Sequence, residues 1–316
     1  MTQRKSFLLV CLSLALVRFW QPFAQILLCC LILCAIPAFF HPIFCAFAFS
    51  MAADSVPHNE SPKAIAKVFI AVSAGMTLGA PLTSFIASNT SLEMSFIFFG
   101  ALNALSLLAT LAFIPSQKQE QKAAQKEQFK VLAKPIVWVS VIVVMLLNSA
   151  MFGFYSYMSE FLLNFTQVSF NLISALLLIY GLSNIIGNFI AGKSLVSAPN
   201  ATLRIVPLSL IALYVALFFG GGNAWGASVI LIILGIFAGV GNNMAQFVVT
   251  SPIPEAKELA NGLFISTANI GITLGTSLCG LFISLNGSRF VVLAAVCLVI
   301  LSIIFLMLRG QILKDR

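Results

Sequence analysis

Charge is scarce in this sequence. Asp, Glu, Lys and Arg make up 8% of the 316 residues, hydrophobic residues make up 60%, and the mean hydropathy is +1.05. A soluble domain carries about 25% charged residues, so this chain cannot cover a water-facing surface. Histidine is scarcer still. His41 and His58 are the only two, too few to assemble a metal cluster or a catalytic triad. No enzyme activity, no metal and no cofactor is therefore expected. The Gly-x-x-x-x-Gly-Lys-Ser match at Gly187–Ser194 runs out of an apolar stretch and is not a loop between a strand and a helix, so the phosphate cradle of an ATP-driven pump is not expected. Cys11, Cys29, Cys30, Cys34, Cys45, Cys279 and Cys297 all lie in apolar stretches without zinc-type spacing. There the side chain serves as a small hydrophobe.

What is present is a succession of apolar stretches, each near the ~20 residues that cross a bilayer as a helix. Ten are read, at 6–22, 24–50, 65–87, 93–114, 135–159, 168–191, 205–221, 225–249, 261–285 and 290–308. They predict an all-α integral membrane protein. With the N-terminus in the cytoplasm, Arg4, Lys5, Lys63, Lys67, Lys118, Lys122, Lys126, Lys130, Lys134, Lys193, Arg204, Lys257, Arg309, Lys314 and Arg316 fall inside. Arg18 and Arg289 fall outside. Cationic side chains stay preferentially on the cytoplasmic face, above all in short loops. The partition therefore predicts ten spans in the plasma (inner) membrane with both termini cytoplasmic. It also assigns the net charge of +8 to topology, so no nucleic-acid partner is expected. Arg4-Lys5 and the run Ser6–Val17 have the outline of a signal peptide. However, Arg18-Phe19-Trp20 stands where small residues would prepare cleavage, and a retained span is expected.

An internal repeat narrows the class. Gly75-Met76-Thr77-Leu78-Gly79 in the third stretch matches Gly271-Ile272-Thr273-Leu274-Gly275 in the ninth, 196 residues on. Ala64 matches Ala260, Leu82 matches Leu278, and a proline-containing loop precedes each copy (Pro57, Pro254). A six-span period keeps both copies in the same orientation, the arrangement of transporters built from two parallel six-helix halves. Span three pairs with span nine, so two helices of the first half are expected to be missing upstream. The expected domains are an incomplete N-terminal half of four spans (1–117), a basic cytoplasmic linker (118–134) and a C-terminal half of six spans (135–316). Lysines at 118, 122, 126, 130 and 134 keep an i,i+4 spacing. That pattern suits either a helix lying on anionic lipid or a solvated linker.

These residues resemble the major facilitator superfamily, in its drug:proton antiporter branch with arabinose-efflux-permease-like and purine-efflux members. Gly75 to Gly79 followed by Ala80-Pro81 is similar to the fifth-helix antiporter motif Gly-x-x-x-Gly-Pro, with one residue inserted. Leu259 to Gly275, through Asn269, resembles the eleventh helix. Tyr155-Ser156-Tyr157 with Phe161-Leu162 resembles the seventh, and Gly181 to Gly192-Lys193 the eighth. The chain departs from the pattern elsewhere. Of the loop motif between helices two and three only a tail, Arg4-Lys5, matches, and a common fourth-helix arginine falls at Cys30. The acidic residue of helix one has no counterpart. The resemblance implies an N-terminally truncated bundle of about ten transmembrane helices, equivalent to helices three to twelve, in two parallel pseudo-repeats. It implies a secondary active transporter exporting a small neutral or amphiphilic solute (drug, sugar or nucleobase) by proton antiport. The alternatives are a truncated, non-transporting remnant or an uncoupled facilitator. Coupled export is expected to need the two helices restored.

By the same resemblance, spans two, five and eight line a central cavity. Unpaired polar groups are costly in a bilayer, so the polar residues there are the candidates. These are His41 in span two; Asn148, Phe152 and Tyr155, on one face of span five; and Asn242, Asn243 and Gln246 in span eight. Each amide is equally readable as glue between helices. His41 is the ionisable group nearest a span centre and titrates near pH 6.5 when unperturbed. A helix-packing role is implied for Gly75, Gly79, Pro81, Asn269, Gly271 and Gly275. The expected partners are membrane lipid, a small-molecule substrate and protons, with the chain a monomer.

Overall fold

The computed structural model describes residues 44–113 and 130–314. Spans 6–22 and most of 24–50, with His41, and the linker lysines 118, 122 and 126 lie outside the described residues. Within them the regular structure is helical. We number the helices α1 (Phe44–Asp54), α2 (Ser61–Asn89), α3 (Leu92–Phe113), α4 (Pro135–Ser156), α5 (Met158–Asn164), α6 (Phe170–Ser197), α7 (Pro199–Gly220), α8 (Ala224–Thr250), α9 (Lys257–Asn286) and α10 (Val291–Lys314). Among the described residues seven helices are long and apolar enough to cross a membrane, and α2 has 29 residues. At 1.5 Å per residue these are multi-pass membrane dimensions.

The helix ends follow local chemistry. Pro135 and Pro199 open α4 and α7, where a missing N–H costs nothing. The hydroxyl of Ser169 accepts from the Leu172 backbone N–H, and the amide oxygen of Asn223 accepts from that of Trp225. These cap α6 and α8. Span 135–159 is interrupted at Tyr157, so that α4 stops at Ser156 and a short α5 follows. The predicted span at 205–221 begins earlier, at Pro199, with Pro207 inside the helix.

The repeat seen in sequence is also a repeat of local structure. A short 3-10 turn, His58–Glu60, leads into α2, and Pro254–Ala256 leads into α9. Gly75 is the fifteenth residue of α2, and Gly271 is the fifteenth of α9.

The chain gathers into two compact units. The described part of the first is 44–49 and 78–113. Its α3 turns Leu102, Leu105, Leu108 and Leu111 outward, an i,i+3 row fit for hydrocarbon. The second unit takes in 50–77 and α4 to α10. Within it α4 is central and packs on α8, α9 and α10, while α6 packs on α8 and α7 packs on α8 and α10. Phe154 of α4 is fully buried, edge-on to Phe161 and Tyr214.

One end of this unit is basic. Lys134 pairs with Glu255, Lys257 pairs with Asp54 at 2.6 Å, and Arg309 donates to the Val248 carbonyl near the end of α8. At the opposite end the guanidinium of Arg289 donates to the Phe218 carbonyl and lies 4.0 Å over the Phe218 ring. The sequence partition of basic residues is thus also spatial here. Reporter fusions after Lys130 and at the C-terminus are expected to read cytoplasm, and fusions at Ser91 and Asn223 the outside. An outside signal at Lys130 would overturn the ten-span topology.

Candidate functional site

Buried polar groups in an apolar bundle must pair, so their hydrogen bonds show where the helices were built for polarity. In the second unit an amide network runs from α2 through α6 to α8. The Ser73 hydroxyl donates to Asn184 Oδ1 at 2.7 Å. Asn188 Nδ2 donates to Ser73 Oγ at 2.9 Å, and Asn243 Nδ2 to Asn188 Oδ1 at 2.7 Å. A second chain runs one turn further along α8. Gln246 Nε2 donates to Asn261 Oδ1 at 2.8 Å, and Asn261 Nδ2 to Ser50 Oγ at 3.2 Å. Asn188, Asn243, Gln246 and Asn261 are all buried.

Asn243, Gln246 and Asn261 border a cavity of about 230 Å³ near the basic end of the unit. Asn243, Gln246, Thr250, Asn261 and Ser61 supply polar groups, and Lys257 stands at its edge. The Lys257–Asp54 pair is about half exposed at Asp54, so it contributes at most about 1 kcal/mol. The walls are otherwise apolar, through Ala53, Ile65, Leu195 and Phe247. One atom stands out. Asn243 Oδ1 is buried and has no hydrogen-bond partner among the described residues.

The site residues expected from sequence fall into two groups. Asn243 and Gln246 each belong to one of these two chains and both line the cavity, and Asn242, next to them, is half-buried. Asn148, Phe152 and Tyr155 lie on α4. There Asn148 is buried and spends its Nδ2 on the Val144 carbonyl of its own helix, and Tyr155 stacks on Tyr180 with ring centroids 5.4 Å apart. Phe152 is half-buried. Sequence reasoning missed Ser73, Asn184, Asn188, Asn261 and Tyr180. The i,i+4 pair Asn184 and Asn188 in an apolar helix was the available signal.

Among the described residues, glycine packing differs between the two copies of the repeat. A Cβ at Gly275 would collide with the Ser149 carbonyl oxygen, and one at Gly271 would come 2.5 Å from the Met145 oxygen. Here α4 and α9 touch backbone to backbone, and the Ser149 hydroxyl donates to the Gly271 carbonyl at 2.7 Å. At Gly75 and Gly79 no described neighbour comes within 4 Å of such a Cβ. Asn269 is exposed and bonds back to the Ile265 carbonyl. Pro81 lies within α2. A further pair, Gly235 and Gly239, seats α8 against the carbonyls of Tyr180 and Asn184, so the amides that carry the network rest on a glycine contact.

Among the described residues no group of three or more His, Cys, Asp or Glu could hold a metal. The described acids Asp54, Glu60, Glu93, Glu160, Glu255 and Glu258 all sit in loops, in the short α5 or at the ends of the long helices. The candidate site is therefore built from uncharged donors and acceptors, with charge at its edge.

Comparison with known proteins agrees with this architecture. The Major Facilitator Superfamily model matches residues 2–258. A curated relative, the inner membrane transport protein YdhP of Escherichia coli K12, is 26% identical over 252 residues, which is 77% of this chain and 63% of the relative. The chain thus spans under two thirds of the length of the curated relatives it matches. Among solved structures, FucP, a Major Facilitator Superfamily transporter in the outward conformation, superposes with a TM-score of 0.79 at 15% identity, covering 98% of this chain and 83% of FucP. The human organic anion transporter MFSD10 gives 0.80 at 16% identity, covering 96% and 77%. At such identities these likenesses speak to fold. With the family model matched over most of its length, the chain belongs to the Major Facilitator Superfamily.

Proposed function

We propose that this chain belongs to a secondary transporter that exports a small neutral solute carrying N–H or O–H donors, by proton antiport across the inner membrane. The carrying observation is Asn243 Oδ1, a buried acceptor left without a partner, on a residue that lines a cavity whose other polar groups are amides, hydroxyls and the Asp54-paired Lys257. A buried acceptor that stays unpaired costs about 1–3 kcal/mol, and a solute donor would recover that. The cavity, about 230 Å³, lies below the ~300–1,000 Å³ of drug-sized sites, which favours a nucleobase or a sugar over a bulky drug. Lining groups that are neutral, apart from a Lys257 already paired with Asp54, favour neutral over ionic cargo. Export and proton coupling rest on the resemblance to the antiporter branch, and the inner-membrane location on YdhP. Within this reading 1–117 and 135–316 act as the two halves joined by the linker 118–134, with the basic end cytoplasmic.

The test follows retention of labelled solutes in a host stripped of its own efflux pumps. It compares the chain with the same chain joined upstream to two family-type helices. Neutral nucleobases or sugars are expected to be depleted from cells expressing the joined form, and organic anions and cations to be retained. Export confined to ionic solutes would overturn the reading.

A further inference from the structure

A second cavity lies away from the amide network, in the groove between α7 and α10. Its volume is about 710 Å³, within the range of ligand sites. The deeper wall is apolar, through Pro207, Leu208, Leu306 and Met307, whereas two arginines, Arg204 and Arg309, stand near one end. Arg204 is five residues from the start of α7, and Arg309 is five residues from the end of α10. At 1.5 Å per residue both lie about 7 Å in from the helix ends, a headgroup depth and not a mid-bilayer one.

The charges are unbalanced. Arg309 is 5% exposed, and it pairs with neutral groups: Nε donates to Ser140 Oγ, and Nη2 to the Val248 carbonyl and to Ser251 Oγ. Its Nη1 makes no hydrogen bond to a described residue, and no described carboxylate pairs with it or with Arg204. A buried guanidinium held by three hydrogen bonds is rigid, so it can present its remaining donors to an anion without further ordering cost. Arg204, which lines the same groove, is exposed.

We propose that this groove holds an anionic phospholipid, its phosphodiester against Arg204 and Arg309 and its acyl chains along Leu208, Leu306 and Met307. Charge complementarity selects the headgroup, and the apolar wall continues in the direction the acyl chains must run. Basic pockets between membrane helices bind anionic headgroups by the same physics.

Native mass spectrometry of the purified full chain tests this, with phosphatidylglycerol or phosphatidylcholine added in equal amount. Phosphatidylglycerol is expected to stay bound at energies that strip phosphatidylcholine, and to raise the melting temperature. Arg204→Gln, at an exposed position, is expected to weaken retention about five-fold, the equivalent of about 1 kcal/mol for one basic residue near the surface. Leu208→Trp, which fills the apolar wall, is expected to weaken retention of phosphatidylglycerol while leaving lipid-free melting unchanged. Inorganic phosphate at matched concentration is expected not to displace the lipid. Equal retention of both lipids, equal retention by parent and both variants, displacement by free phosphate, or a chain dimer that excludes lipid would each overturn the proposal.

Discussion

Gly275→Leu is expected to lower the melting temperature of the detergent-solubilised chain far more than Gly75→Ala. A side chain at Gly275 has to displace the Ser149 backbone, since its first atom already overlaps the Ser149 carbonyl oxygen. Backbone cannot swing aside as a long side chain can. On the other flank the backbone of Gly275 would meet any Cβ grown from Gly153, at 2.8 Å, so the contact between α4 and α9 is tight from both sides. In a bilayer, helix association depends on packing and hydrogen bonds because lipid tails are as apolar as leucine. Opening this contact also breaks the Ser149–Gly271 hydrogen bond. Overpacking a well-filled site costs about 1–3 kcal/mol, occasionally more, and this one belongs at the upper end. Gly75→Ala, by contrast, meets no described atom within 4 Å and gains helix propensity of about 1 kcal/mol, so it is expected to melt at or slightly above the parent. Similar losses in both variants would show that the repeat packs alike in both copies.

Much of this fold is written in the sequence, because length and apolarity set a span and prolines and caps set its ends. The repeat was legible for the same reason. The 3-10 turns before α2 and α9 sit at matching positions, and so do Gly75 and Gly271. What a helix faces was less legible. In a soluble protein the polar face of a helix marks the solvent side, whereas here lipid-facing and protein-facing sides are both apolar and periodicity carries no direction. Asn148 and Tyr155 do share a face of α4, but Asn148 is satisfied by its own Val144. Asn242 and Gln246 share a face of α8 by spacing, yet the network is made by Asn243 and Gln246, because α6 and α9 flank α8 on different sides. Asn261 becomes a candidate only once those neighbours are known. Arg309 shows the same limit. Its position in sequence places it at the basic end, but not its burial against Ser140 and Val248.

The second large effect is expected at Asn243. Asn243→Leu removes the orphaned acceptor and the donor that reaches Asn188 Oδ1. Asn188 Oδ1 is left buried and unpaired at a cost of about 1–3 kcal/mol, but removal of the orphaned Asn243 Oδ1 offsets a similar amount, so the net change in stability is expected to be small. The functional cost has a separate signature. A site that hydrogen-bonds its cargo rejects analogues lacking the donor, by factors reaching ~10⁴ where the bond is buried. The parent is therefore expected to prefer a nucleobase over its fully N-methylated analogue, and Asn243→Leu is expected to lose that preference. A ratio of two solutes does not depend on how much folded protein is present, so loss of stability cannot imitate it.

That ratio reads directly whether Asn243 holds the cargo. Inverted membrane vesicles would carry the chain joined upstream to two family-type helices, as parent and as Asn243→Leu, with and without a proton gradient acid inside. Gradient-dependent accumulation of the labelled nucleobase by the parent is expected at least about ten-fold above that of its N-methylated analogue, one hydrogen bond to the solute being worth about 1.4 kcal/mol. Asn243→Leu should transport the two alike. Absence of gradient-dependent accumulation from parent vesicles that hold the inserted protein, or an unchanged ratio in the variant, would contradict it.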